Sequence, residues 1–313
     1  MKTTGFSEIG KQWSAITFGC WQIAPSGGWG DLCTEQEAEA SVRTALDCGI
    51  TAFDTAEGYG DGESERRLGR ALGSRKDEVV VISKIWPDAE LTLNDYQKRL
   101  DASLKALNRE YVDVYLVHWP GSYFDSPDKS KKLADIMRSL RDSGKARAIG
   151  LSNFHANDLQ RLGDSLSDFS INQVPYSLLG REYEGKTRSL CQREGLPYMA
   201  FSPTGQGFLA GRFSKEDQNF PARASNRFYQ EPRFSAGKRL YEKIQTIARD
   251  IGRAPIEIAI AWVLAQPNIL TAIVGSRKPD QIREFSKAGD LKLTPETLEL
   301  LTKASDQFIQ STR

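Results

Sequence analysis

Eight short apolar runs recur along the chain, most of them separated by about 25 to 35 residues. Most are continuous rather than alternating, which predicts strands that are covered on both faces, as in a parallel sheet. The runs are ITFGCW from 16, TAFDTA from 51, VVVISKI from 79, VDVYLVH from 112, ARAIGLSN from 146, FSINQVPY from 169, LPYMAFSP from 196 and ILTAIVGSR from 269.

Amphipathic patterns between these runs predict helices. Thr34 and Glu37 form a capping box, and Gly49 marks the end of the helix that it opens. A polar stretch with several Gly and Pro residues, roughly 211 to 236, interrupts the alternation of strands and helices. The other clear helical segments are 93–107, 133–140, 240–251, the mostly apolar 255–266, 279–287, and a last helix with Thr294 as cap and Pro295 in its first turn.

Strands that alternate with helices imply parallel βαβ units with right-handed crossovers. Closing eight of them predicts one (β/α)8 TIM barrel over 1–313, with a short N-terminal hairpin at 6–16 and extra C-terminal helices. The competing fold is an open, doubly wound sheet, which would bind a dinucleotide through a GxGxxG turn after its first strand. Residues 19–30 contain no such turn. The barrel is therefore favoured, and its catalytic groups are expected where the strands end.

Composition excludes several classes of function. The 42 basic and 41 acidic residues give a net charge of +1, which argues against nucleic-acid or membrane partners. Four cysteines and two histidines without metal-ligand spacing predict neither a metal site nor a disulfide framework. The N-terminal sequence MKTTGFSEIGKQW has no signal-peptide core, and no run approaches a membrane span. We therefore expect a cytoplasmic protein.

Four polar residues fall at the predicted mouth of the barrel. Asp54 ends the second strand, Tyr59 lies in the loop after it, Lys84 ends the third strand and His118 ends the fourth. Each alone is ordinary: a cap, a packing phenol, a surface lysine or a core histidine. Together, on three neighbouring strands, they favour a catalytic site.

The residues around these positions resemble the aldo-keto reductase family over nearly the whole chain. The resemblance is carried by FDTAEGYG with GESERRLGRAL, SKIW, SLKALNREYVDVYLVHWP, GKARAIGLSNF, NQVPYSLL, AFSPTGQGFLAGRF and IVGSRKPDQIRE. It implies a barrel that binds NADPH in an extended pose, without a dinucleotide fold, and transfers hydride to an aldehyde or ketone. The substrate would be a small molecule, and no metal would be needed.

The resemblance implies that Tyr59 donates the proton, assisted by Lys84, Asp54 and His118. A phenol with a pKa near 10 is a weak acid. An ammonium about 4 Å away would favour the phenolate by up to ~4 kcal/mol at an effective dielectric near 20, or roughly three pKa units. Asp54 would cancel part of this, so we expect a smaller net lowering. His118 would orient the carbonyl. The predicted substrate contacts are Trp21, Trp29, Trp86, His118 and Trp119.

The family pattern also implies a cofactor site on the remaining strands. Amides of about 204 to 209 would approach the pyrophosphate, and Arg277 would hold the 2′-phosphate, which favours NADPH over NADH. Phe201 stands where the family often has a stacking Tyr, and Phe285 replaces an adenine-contacting Asn. The predicted contacts are Gly19, Cys20, Trp21, Asp54, Ser152, Asn153, Gln173, Phe201, Ser202, Pro203, Thr204, Gln206, Gly207, Leu209, Gly275, Ser276, Arg277, Gln281 and Glu284.

Three alternatives stay open at this point: a regulatory subunit of a potassium channel that binds NADPH, a barrel isomerase without a redox step, and NAD-linked oxidation. The natural carbonyl compound and the oligomeric state are also open, with a monomer favoured. Loops near 22–33, 120–129 and 212–233 would decide substrate choice. We expect the last of them to fold over the cofactor.

Overall fold

The computed structural model describes residues 1–6, 8–25, 29 and 33–312, and they begin with an antiparallel hairpin. Its strands are β1 (Thr3–Phe6) and β2 (Lys11–Ser14). The hairpin predicted at 6–16 is confirmed, although it begins earlier, because Thr3 pairs with Ser14. Phe6 and the buried Trp13 pack edge to face, with ring centroids 5.5 Å apart, and join the apolar cluster of the barrel interior.

Eight parallel strands close into a barrel in sequence order, with the last strand pairing to the first. The closed barrel confirms the predicted fold and excludes the open doubly wound sheet. The strands are β3 (Ile16–Gly19), β4 (Ala52–Asp54), β5 (Val80–Ile85), β6 (Val112–Val117), β7 (Ala146–Ser152), β8 (Asn172–Pro175), β9 (Tyr198–Phe201) and β10 (Ile269–Val274).

Helices surround the barrel. They are α1 (Glu35–Asp47), α2 (Glu63–Leu72), α3 (Leu93–Leu107), α4 (Pro127–Asp142), α5 (Ala156–Arg161), α6 (Lys186–Arg193), α7 (Lys215–Gln218), α8 (Pro221–Ala224), α9 (Arg233–Asp250), α10 (Pro255–Leu264), α11 (Pro279–Ser286) and α12 (Pro295–Ser311). The capping box of α1 is present, with the Thr34 hydroxyl accepting from the amide of Glu37. The apolar pattern does not identify α2, α5 or α6, which are short and rich in polar residues.

The polar stretch at 211–236 is not a plain loop. It contains the short helices α7 and α8 and the first turn of α9, which begins at Arg233. The stretch follows β9, so it starts at the same end of the barrel as the strand ends that carry the predicted site. No helix within the described residues is long and apolar enough to span a membrane.

Candidate active site

A buried lysine connects the residues at the ends of β4 and β5. The Lys84 ammonium donates to Asp54 Oδ1 at 2.7 Å, to the carbonyl oxygen of Thr55 at 2.8 Å and to Tyr59 Oη at 3.3 Å. An ammonium group has three donors, so these contacts use all of them. Because Tyr59 Oη accepts from Lys84, its own hydroxyl proton points elsewhere.

The second oxygen of Asp54 also has a partner. Gln173, on β8 across the barrel, donates through Nε2 to Asp54 Oδ2 at 2.7 Å. Asp54 is only 3% exposed, so both carboxylate oxygens depend on protein donors. The carboxylate therefore holds Lys84 on one side and Gln173 on the other.

The pKa of Tyr59 is raised, which makes the expected net lowering wrong. Burial is the largest cause and Asp54 adds to it, while Lys84 acts in the opposite direction without overcoming them. Burial alone would lower the pKa of Lys84, but Asp54 and Tyr59 outweigh that effect and raise it. The pair at neutral pH is thus a protonated phenol beside a protonated amine.

His118 follows β6 and is held by its backbone, since its carbonyl oxygen accepts from Asn153 Nδ2 at 3.0 Å. Burial, and then the charge of Lys84, place the pKa of His118 well below its usual value. The imidazole is therefore neutral at pH 7 and keeps one N–H donor. Its Nδ1 is buried and has no hydrogen-bond partner.

Aromatic rings continue outward from Tyr59 and His118. Trp21 stacks on Tyr59 with centroids 6.0 Å apart, and the Tyr59 and His118 centroids are 5.7 Å apart. Trp86 stands at 86° to the His118 ring, whereas Trp119 lies within 18° of its plane. Trp86 and Trp119 are 41% and 43% exposed, which is unusual for tryptophan and fits a surface kept free for a ligand.

These groups line one cavity of about 730 Å³ at the mouth of the barrel. Most predicted contacts line it as well, and Lys84 lies directly beneath its wall. The predicted residues that line the cavity are Gly19, Trp21, Trp29, Asp54, Tyr59, Trp86, His118, Trp119, Ser152, Asn153, Gln173, Phe201, Ser202, Pro203, Thr204, Gln206, Gly207, Gly275, Ser276, Arg277, Gln281 and Glu284.

Two predicted cofactor contacts, Cys20 and Leu209, do not line the cavity. Cys20 is fully buried, and its thiol points back to the carbonyl oxygen of Phe18. Leu209 is also fully buried and belongs to the hydrophobic core. Cys20 directly follows the lining residue Gly19, and Leu209 follows the glycine loop, so each lies next to the cavity in sequence without lining it.

The loop after β9 uses several of its amides internally. Gly205 donates to the Ser202 carbonyl, Gly207 to the Thr204 hydroxyl, and Leu209 to the Thr204 carbonyl. The amide of Phe208 is also committed, to Gly205. Because these amides are used within the loop, fewer of the amides from 204 to 209 can donate to a phosphate than the sequence predicts. Basic side chains would have to balance most of the negative charge of such a ligand.

Four basic side chains line the cavity, and the sequence prediction found only one of them. Arg212, Arg223 and Lys278 line the cavity together with Arg277. Arg223, on α8, donates to the Gln206 carbonyl oxygen at 2.9 Å, and burial lowers its pKa, with Arg212 and Arg277 contributing. The sequence could have indicated Arg212, because this residue directly follows the glycine loop.

Other lining residues were also missed. Phe220, just before α8, lies between Trp29 and Arg277: its ring centroid is 5.7 Å from that of Trp29 and 5.2 Å from the Arg277 guanidinium. Phe285 lines the cavity while remaining 1% exposed, so it is mainly a core residue. The remaining members are Gln22, Gly58, Ala210, Asp217, Ile256, Ile273 and Val274.

Two glycines bring backbone close to the cavity. A Cβ at Gly275 would lie 2.1 Å from Gln22 Oε1 and 2.3 Å from the Gly19 carbonyl oxygen. Gly207 has a φ of +94°, and a Cβ there would lie 2.9 Å from Arg223 Nη2. Both positions therefore require glycine for packing against neighbouring residues, while the four cationic side chains of the cavity suit an anionic ligand.

Comparisons with known proteins agree with this geometry. A model described as the aldo/keto reductase family matches residues 15–306. The aldo-keto reductase YhdN of Bacillus subtilis is 31% identical over 92% of this chain and 88% of its own. A NADH-specific methylglyoxal reductase of Escherichia coli is 27% identical over 94% and 95%. A solved aldo/keto reductase from Klebsiella pneumoniae, in complex with NADP and acetate, is 28% identical, with a TM-score of 0.77 over 96% of this chain and 94% of that one.

Proposed function

The chain belongs to the aldo/keto reductase family of oxidoreductases, and on that premise we propose that it reduces aldehydes or ketones with NADPH. The observation that carries the proposal is the contact of the buried Lys84 Nζ with Tyr59 Oη at 3.3 Å, at the wall of a cavity that four basic side chains also line. One part of the cavity suits proton donation, and the other suits a polyanionic cofactor.

The donor set fits a phosphorylated dinucleotide. Arg212, Arg223, Arg277 and Lys278 line the cavity and would hold its phosphates. An arginine is suited to an extra phosphate because its guanidinium binds phosphate oxygens in pairs. Since the Klebsiella pneumoniae structure contains NADP and the Escherichia coli relative is NADH-specific, the family alone does not decide the choice.

The residues at the strand ends would then have separate roles in carbonyl reduction. A dinucleotide held by the basic residues would supply the hydride. Negative charge develops on the carbonyl oxygen, where Tyr59 donates its proton and neutral His118 donates a hydrogen bond. The raised pKa keeps Tyr59 protonated until that moment, and Lys84 stabilises the phenolate that forms. Asp54 keeps Lys84 charged and in position.

The first test is a fluorescence titration with NADPH and NADH, followed by aldehydes and absorbance at 340 nm. Tyr59→Phe keeps the ring and removes the donor, so kcat should fall by about 10² to 10⁴ with a nearly unchanged NADPH Kd. Tyr111→Phe is the matched control, because Tyr111 precedes β6 and lies at the opposite end of the barrel.

The outcomes separate the alternatives. Wild-type turnover in Tyr59→Phe would remove this phenol from the mechanism. Binding of NADPH without aldehyde-dependent oxidation would favour a regulatory protein. If neither dinucleotide binds, the assignment of the basic residues to a cofactor is wrong.

A further inference from the structure

The hydroxyl of Ser64, near the start of α2, contacts two strand ends beside Tyr59. It donates to the Cys20 carbonyl oxygen, just after β3, at 2.8 Å, and it accepts from the Thr55 hydroxyl, just after β4, at 2.9 Å. Ser64 and Thr55 are both 0% exposed, so solvent does not replace these bonds. The hydroxyl does not cap its own helix either, because the cap residue is Gly62. Its bonds therefore connect α2 to the barrel.

The partners of Ser64 also hold Lys84 in place. The Thr55 carbonyl oxygen accepts from Lys84 Nζ at 2.8 Å. The Cys20 amide donates to the carbonyl oxygen of Asp54 at 2.8 Å, and the Asp54 carboxylate forms the ion pair with Lys84. Two of the three acceptors of the Lys84 ammonium thus lie on adjacent residues that Ser64 ties to the end of β3.

The backbone of Ser64 contacts the loop that carries the phenol. The Ser64 amide donates to the Tyr59 carbonyl oxygen at 3.2 Å, and the Tyr59 amide donates to the Ala56 carbonyl oxygen at 3.1 Å. Within the same loop, the Gly62 amide donates to the Glu57 carbonyl oxygen at 2.7 Å. Ser64 therefore connects the loop of Tyr59 with the segment that holds Lys84.

The contact between Lys84 and Tyr59 is the longest of the three hydrogen bonds of the ammonium, at 3.3 Å against 2.7 and 2.8 Å. The attraction between the ammonium and a phenolate falls with distance. At an effective dielectric near 20, moving the ammonium away by about 1 Å would raise the pKa of Tyr59 by roughly one further pH unit. A weaker acid transfers its proton more slowly, so the rate would fall by up to about tenfold.

We propose that Ser64 is a positioning residue for proton transfer: its hydroxyl holds the ends of β3 and β4 so that the Lys84 ammonium stays within hydrogen-bond distance of Tyr59 Oη. This inference rests on the proposed function and adds to it a residue that does not line the cavity. Loss of the hydroxyl should therefore lower kcat and leave the binding of NADPH and aldehyde nearly unchanged.

Ser64→Ala removes both side-chain hydrogen bonds without adding volume. With the aldehyde that the wild type reduces fastest, kcat should fall about three- to tenfold, while the NADPH Kd and the aldehyde KM stay within about twofold. Ser64→Thr keeps the hydroxyl and should recover most of kcat. A kcat as low in Ser64→Thr as in Ser64→Ala, in a folded protein, would overturn the role of the hydroxyl.

Ser305→Ala is the matched control. The fully buried Ser305 hydroxyl, on α12, donates to the Leu178 carbonyl oxygen at 2.7 Å, and Ser305 does not line the cavity. Both alanine variants should therefore lower the free energy of unfolding by comparable amounts, but Ser305→Ala should keep the wild-type kcat. Wild-type kcat in Ser64→Ala as well would overturn the inference, because Ser64 would then only stabilise the fold.

A double variant tests whether Ser64 acts through the phenol. In Tyr59→Phe, Lys84 has no hydroxyl to assist, so Ser64→Ala/Tyr59→Phe should have the same kcat as Tyr59→Phe. A further three- to tenfold loss in the double variant would overturn the inference, because Ser64 would then affect kcat independently of the proton donor.

Thr55→Val keeps the inference testable if Ser64→Ala does not fold. It removes the same hydrogen bond from the other side while nearly keeping the shape of the side chain, and it should also lower kcat without changing the NADPH Kd. An unchanged kcat in Thr55→Val would overturn the inference.

Crystal structures of the wild type and of Ser64→Ala, or of Thr55→Val in its place, give a measurement that does not need turnover. The distance from Lys84 Nζ to Tyr59 Oη should be clearly longer in the variant than in the wild type. A longer distance in a protein that does not oxidise NADPH with any aldehyde would support the positioning role and overturn the proposed reductase. An unchanged distance in an active reductase would leave the reductase standing and overturn the role of Ser64.

Discussion

Removing Lys84 should show how strongly the catalytic residues depend on one buried ion pair. Lys84 Nζ and Asp54 Oδ1 are 2.7 Å apart, with side chains 0% and 4% exposed. Lys84→Met leaves the carboxylate in the protein interior with Gln173 as its remaining side-chain donor. An uncompensated buried charge is costly, so we expect the free energy of unfolding to fall by about 3–5 kcal/mol.

A double variant separates the cost of the unpaired carboxylate from the contribution of the Lys84–Asp54 ion pair to the free energy of unfolding. In Asp54→Asn/Lys84→Met both charges are absent, and desolvation of the ions no longer opposes folding. The double variant should therefore be clearly more stable than Lys84→Met, even though two native residues are missing. Lys145→Met is the exposed control: Lys145 and Asp101 are 2.5 Å apart but 40% and 51% exposed, so the loss should be about 1 kcal/mol or less.

Urea unfolding followed by circular dichroism, with linear extrapolation, measures all of these differences. The same proteins should be titrated with NADPH, because Lys84 lies beneath the cavity wall and its removal should lower kcat more than it weakens cofactor binding. The reasoning is refuted if Lys84→Met costs no more than Lys145→Met. It is equally refuted if the double variant is as unstable as the single one, because the unpaired carboxylate would then not be the cause.

Three further predictions concern the proposed cofactor site and a buried glutamate. Arg277→Ala should raise the Kd of NADPH far more than that of NADH, and equal losses in a fluorescence titration would show that it does not bind the 2′-phosphate. Gly275→Ala should weaken NADPH binding, because its methyl group would meet Gln22 Oε1 at 2.1 Å and the Gly19 carbonyl oxygen at 2.3 Å and so displace two residues that line the cavity; an unchanged NADPH Kd would contradict this reasoning. Glu65, on α2, has a pKa raised by burial to about 7, with Ser83 Oγ 2.5 Å from its Oε1. Because the pKa is higher in the folded than in the unfolded state, the protonated carboxyl favours folding at acidic pH, and this contribution is lost as the pH rises through 7. Glu65→Gln should therefore be more stable than wild type by up to about 3 kcal/mol at pH 8 and by much less at pH 5, measured by urea unfolding.

The barrel was predictable because its signal is local. Each strand is covered on both faces, so each appears as an apolar run, and the closed topology follows from eight such runs with helices between them. Helices α2, α5 and α6 were not predictable in the same way. They are short or polar, and tertiary contacts rather than an apolar stripe fix them: Ser64 on α2, for example, donates to the Cys20 carbonyl oxygen at 2.8 Å.

Candidate site residues that lie at strand ends were predictable from the sequence, whereas those in the segments between strands and helices were not. Asp54, Lys84 and His118 stand at or just after strand ends, and a barrel brings all strand ends to one mouth. Arg223 lies about 20 residues beyond β9 in a stretch without periodicity, and only folding places its guanidinium against the Gln206 carbonyl oxygen. No spacing rule connects such residues to a cavity.

The pKa of Tyr59 shows a different limit of prediction from sequence. The sequence identified both charged neighbours of this phenol and the direction in which each acts, yet the sum had the wrong sign. The effect of neighbouring charges depends on which residues are present, whereas desolvation depends on how much protein covers the phenol oxygen, which is a property of the packed fold. Trp21 stacks on Tyr59 and His118 lies beside it, so these two rings cover part of the phenol. Burial among these rings therefore makes Tyr59 a weaker acid, and Lys84 restores part of its acidity rather than making it a strong acid.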